Sequence, residues 1–146
     1  MRLWLLLALS GVAWGKTTQS TSCVRDAKDQ PVCVIADANY NRRDNTIYFT
    51  FNNPTEESAR FCTVDFLLME DQGRGRFIRS GTAHVSTTLP IRPHDSFRMQ
   101  ARPTAYWDYI DTLVLTCDGA PTDLKLAYPL FLDGATEQSL KKKLGY

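Results

Sequence analysis

An all-β, antiparallel sandwich of about seven strands is the fold class this chain predicts, and three observations predict it. Apolar and polar residues alternate in short runs, as in Thr46 to Asn52, where Ile47, Phe49 and Phe51 share one face. Turn chemistry rich in Gly, Pro, Asn and Asp separates the runs at 10–15-residue intervals. Four cysteines lie among these runs, an even number suited to two bridges. A small β-barrel is the alternative architecture.

The elements follow in order. Met1 to Gly15 joins Arg2, the apolar run Leu3-Trp4-Leu5-Leu6-Leu7-Ala8-Leu9 and small residues at Ala13 and Gly15, the pattern of a cleavable export signal. The apolar run is shorter than the roughly 20 residues a membrane-spanning helix needs. Export places the chain in an oxidising compartment, extracellular or, alternatively, the bacterial periplasm. Residues 16–22 read as a flexible lead-in, 23–132 as one disulfide-reinforced domain, and 133–146 as a polar tail with a short helix. Strands are expected at Val32 to Asn39, Thr46 to Asn52, Ala59 to Glu70, Arg76 to Ser86, Ser96 to Arg102, Asp111 to Cys117 and Leu124 to Leu130.

Alternation also suggests the cysteine pairing. Cys62 shares a face with Val64, Phe66 and Leu68, and Cys117 shares one with Leu113 and Leu115. Two inward cysteines on core strands favour a Cys62–Cys117 bridge crossing between sheets, which leaves Cys23 and Cys33 to pair locally. Strand number and spacing resemble an immunoglobulin-like or fibronectin-like sandwich. The resemblance is one of architecture only: no tryptophan follows Cys62 on the next strand, and Leu115 stands where a tyrosine would precede the second cysteine.

Composition narrows function. Without Arg2 the chain has 16 basic and 16 acidic residues, so no basic excess marks it for nucleic acid. Lys141-Lys142-Lys143 reads as a solvated tail. Neither a membrane span nor a cofactor or metal motif appears, and the cysteine spacing lacks the Cys-x-x-Cys pair of a zinc site. His84 and His94 are the only histidines. His84 reads as a half-exposed strand residue, and His94 and Asp95, as neighbours, would point apart. Glu56-Glu57 and Glu70-Asp71 read as solvated loop charges. No enzyme is expected, and no catalytic residue is assigned.

Two segments suit binding. Ala105-Tyr106-Trp107-Asp108-Tyr109 brings Tyr106, Trp107 and Tyr109 together ahead of a core strand, with the alternative that Trp107 folds under as a plug. Arg74 and Arg76, with Arg79 nearby, could rim a site for an acidic partner. The expected function is a secreted, non-enzymatic module that binds a protein or glycan through loops or a sheet edge. The alternatives are a secreted enzyme inhibitor and a carrier of a small apolar ligand, the latter requiring a void among Phe49, Phe66 and Phe97.

Overall fold

The computed structural model describes residues 19–26, 28–54, 56 and 61–146. Met1 to Gly15, the expected export signal, lies outside them, as does Glu57. Among the described residues, eight strands form two four-stranded antiparallel sheets packed face to face. One holds β1 (Gln19–Arg25), β2 (Pro31–Asn41), β3 (Thr46–Asn52) and β6 (Ser96–Pro103), in that order. The other runs β5 (Phe77–Ser86), β4 (Cys62–Asp71), β7 (Tyr109–Cys117) and β8 (Ala120–Phe131). With β1 set aside, β2-β3-β6 against β4-β7-β8 matches the A-B-E and C-F-G order of an immunoglobulin-like sandwich. A short helix, α1 (Gly134–Leu140), follows β8.

The expected alternation holds where it was clearest. Ile47, Phe49 and Phe51 from β3 meet Val64, Phe66 and Leu68 from β4, all at most 1% exposed, and the rings of Phe49 and Phe66 stand edge to face at 5.1 Å. That middle of the core is filled.

The eighth strand is β1. The sequence reads 16–22 as a lead-in, whereas β1 is paired with β2 from Gln19. Its small polar residues hide the strand because two of them serve a seam. Ser22 Oγ donates to the Lys125 carbonyl at 2.8 Å, and the Tyr128 N–H donates to Ser20 Oγ at 3.0 Å. Here β8 bulges: Lys125 faces Thr112 and Leu130 faces Ile110, so the intervening residues leave the β7 ladder and turn toward β1. The other seam is a two-pair ladder, Ala83–Pro103 and His84–Arg102. Both open sides of the sandwich are thereby joined, which protects its edges. Ser20 and Ser22 are buried, so Ser20→Ala or Ser22→Ala should each cost about 1–2 kcal/mol in denaturant unfolding, by stranding a backbone group. A loss at neither site would show the seam to be solvated.

Both expected bridges are present, Cys23–Cys33 and Cys62–Cys117. The expected path of the second is corrected. Cys62 and Cys117 are directly opposed neighbours in one sheet, with Cα atoms 4.1 Å apart, and the bridge joins β4 to β7 rather than sheet to sheet. Inward phase is shared by adjacent strands as well as by facing ones, so alternation cannot distinguish them. Cys23 and Cys33 are likewise opposed across β1 and β2. Both bridges lie at one end of the sandwich, the disulfide end.

The opposite, hairpin end carries the β4–β5 turn, the 104–108 loop and α1. Asp133 caps α1: its Oδ1 accepts from the Thr136 N–H and hydroxyl, each at 2.8 Å, which holds its carboxyl below the usual range. Leu140 docks the helix on Tyr109 and Phe131.

Candidate functional site

The fold brings the two sequence-predicted binding segments to the same place. Strands β4 and β5 are joined by a tight turn in which Gly73, Arg74 and Gly75 all have positive φ, at 81°, 55° and 73°. Glycine tolerates that conformation freely, and the flanking pair lets the turn lift Arg74 outward. Asp71 Oδ1 fixes the turn by accepting from the Gly73 N–H at 2.8 Å. Arg74, Arg76 and Arg79 are exposed, and none pairs with a carboxylate among the described residues.

The 104–108 loop lies against this turn through Asp108. Its carboxylate, 9% exposed, accepts from the Asp71 N–H at 2.8 Å and from the Tyr106 hydroxyl at 2.6 Å. Its own N–H donates to the Met69 carbonyl at 2.8 Å. Ser80 Oγ donates to the Tyr106 carbonyl at 2.6 Å. Tyr106 is therefore held by both its hydroxyl and its backbone while its side chain stays 61% exposed. The bond to Asp108, more than any other influence, pushes the Tyr106 phenol up to about 12, so it acts as a neutral donor.

The neighbouring aromatics behave differently. Trp107 is 2% exposed and meets Tyr40 edge to face at 4.8 Å, the plug arrangement. Tyr109 is 3% exposed beneath α1. Burial pushes its phenol up to about 12, reinforced by the carboxylates of Asp111 and Asp71. Neither ring offers a face to a partner, so of the three aromatics in the expected binding segment only Tyr106 reaches solvent. Lys143 reaches Asp71 at 3.7 Å, which brings the lysine tail to this end as well. A depression of about 360 Å³ between Tyr106, Asp71, Asp108 and α1 completes the surface.

A second feature, missed from the sequence, occupies the disulfide end. A cavity of about 550 Å³ opens between the sheets, floored by Val24, Val34, Leu115 and Leu124, with Arg25, Lys28 and Glu56 also lining it. Its floor residues alternate correctly in their strands, yet nothing in one strand reveals where two sheets splay apart.

The histidines are placed as follows. His94 Nε2 lies 2.9 Å from Glu56 Oε1, while Asp95 accepts from the Arg92 N–H, so the two neighbours do part. His84 Nδ1 lies 2.6 Å from Asp65 Oδ1. Among the described residues no cluster of three His, Cys, Asp or Glu side chains is placed to hold a metal ion, and no helix is long and apolar enough to cross a membrane.

Fold and site together define a disulfide-clamped β-sandwich with a loop-built surface at one end and an apolar cavity at the other. The chain matches no protein-family model, and neither a similar curated protein nor a similar solved structure was found.

Proposed function

We propose that this protein is an extracellular or periplasmic binding module whose working surface is the hairpin end, and that its partner is an acidic protein or glycan. Two disulfides are compatible with either compartment. The observation that carries the reading is the convergence of an exposed, pre-positioned tyrosine with exposed arginines that have no carboxylate partner among the described residues. A ring held in place loses little entropy on contact, and arginine forks suit carboxylates and sulfates. The β4–β5 turn and the 104–108 loop are tied to core strands through Asp108 and Ser80, so the surface is presented rigidly.

Immobilised dextran sulfate and polyglutamate test the reading. Retention on one of them should fall with added salt. Tyr106→Ala should weaken binding by about 2 kcal/mol, roughly thirtyfold, while moving stability by no more than about 1 kcal/mol. Undiminished retention of a Tyr106→Ala, Arg74→Ser, Arg76→Ser variant would exclude this surface.

The cavity favours a second reading, carriage of a small apolar ligand. Its volume falls within the range of ligand sites, about 300–1,000 Å³, and its floor is aliphatic. The void is at the sandwich end and not among Phe49, Phe66 and Phe97. A hydrophobic dye such as anilinonaphthalene sulfonate should bind one to one, and Leu115→Trp should block it by filling the floor. Dye binding that survives Leu115→Trp would remove the cavity from consideration.

A further inference from the structure

The outer face of the β4–β5 pair carries a hydrogen-bonded string that neither binding reading uses. Asp65 and His84 are directly opposed across the ladder, and Ser86 follows His84 by two residues, on the same face. Asp65 Oδ1 is 2.6 Å from His84 Nδ1, and His84 Nε2 is 3.2 Å from Ser86 Oγ. The order of atoms matters. A carboxylate accepts only, so it fixes the proton on Nδ1 and leaves the Nε2 lone pair facing the serine hydroxyl. Ser86 then donates to Nε2, which is the arrangement of a nucleophile beside its base with a third group orienting the base.

We infer that Ser86 is a nucleophilic serine that accepts an acyl group from activated acyl donors, aryl esters or acyl thioesters, with His84 as its base and Asp65 as a positioning residue. Ser86 Oγ attacks the acyl carbonyl as its proton passes to His84 Nε2. The carbon–oxygen or carbon–sulfur bond of the donor breaks, the same proton leaves with the alcohol or thiol, and the acyl group remains as an ester on Ser86. No electron transfer is involved.

The surroundings set the limit on substrate class. Backbone N–H groups paired in the β4–β5 ladder lie in the plane of the sheet, so the ladder itself forms no oxyanion hole above Ser86. Without backbone stabilisation of that kind, donors with good leaving groups are favoured over amides. The site is open: the His84 side chain is 55% exposed, that of Asp65 26%, and Ser86 is exposed. A bulky acyl donor can therefore approach.

The test treats the oxidised protein with p-nitrophenyl acetate and reads acetylation residue by residue by peptide mapping. Ser96 is the internal control, an exposed serine whose hydroxyl donates to Asn52 Oδ1 and whose nearby histidine, His94, is turned to Glu56. Ser86 should be acetylated on the order of a hundredfold faster than Ser96, the usual range for a positioned base. His84→Ala should bring the two rates together, and Asp65→Asn should give an intermediate rate, since it removes the fixed proton on Nδ1. These positions are at the surface, so circular dichroism and melting should match the parent. Equal rates at Ser86 and Ser96, or a Ser86 rate unmoved by His84→Ala, would overturn the inference.

Discussion

Replacing Trp107 by Ala is expected to lower unfolding stability by about 3–5 kcal/mol, among the largest losses any single side chain here can cause. The ring is 2% exposed and closes the core against Tyr40, so truncation removes buried area and leaves a hole bordered by a second aromatic. Tyr40 is itself anchored, its hydroxyl donating to Asn45 Oδ1 at 2.7 Å, so it cannot readily swing in to fill the space. Urea titration measures the loss: the midpoint should fall with the slope unchanged. Tyr106→Ala, one residue away, should cost no more than about 1 kcal/mol. Similar losses at the two positions would mean that the loop unfolds as a unit, and the rigid presentation of Tyr106 would fail with it.

Removing the Cys62–Cys117 bridge by paired Ala substitution is expected to cost about 4 kcal/mol, against about 2.7 kcal/mol for Cys23–Cys33. The difference follows from the chain closed by each bridge, 55 residues of sequence separation against 10, since a longer loop restricts the unfolded chain more. Burial adds to it, because Cys62 is 2% exposed whereas Cys23 is exposed. Both variants lose strand-end clamping at the disulfide end, so dye binding in the cavity should weaken in each. Equal stabilities for the two double variants would show that the unfolded chain is already compact enough to blunt the loop-length effect.

The Asp65–His84 contact shows why part of the site escaped sequence reading. In β4 the inward residues are even-numbered, Cys62 to Leu68, whereas β5 buries Ala83. Opposed residues must share a face. Counting back from the Asp71–Phe77 pair at the turn would place Asp65 opposite Ala83, an outward residue against an inward one. The conflict is relieved by one extra residue in β5: Leu68 pairs with Gly81 and Met69 with Arg79, leaving Ser80 as the bulge. That shift sets Asp65 opposite His84. The mismatch of phase was legible in the sequence; the position of the bulge depended on Ser80 finding acceptors at the Leu68 and Tyr106 carbonyls.

Local pattern alone determined the all-β class, seven of the eight strands and the short helix carrying Leu140. Each is fixed by the period-two alternation, turn residues or capping chemistry of a single contiguous stretch, which tertiary contacts reinforce and need not supply. The tertiary structure decided what depends on two distant stretches meeting: β1 as a strand, whose serines find their partners on β8 over a hundred residues away; the in-sheet path of Cys62–Cys117; and the burial of Trp107 and Tyr109 beside an exposed Tyr106. It also decided that Arg74, Arg76 and Tyr106 share one end of the molecule. Strand order sets all of these, and strand order is chosen by how both sheets together bury their apolar faces, a property that no single strand carries in its own sequence.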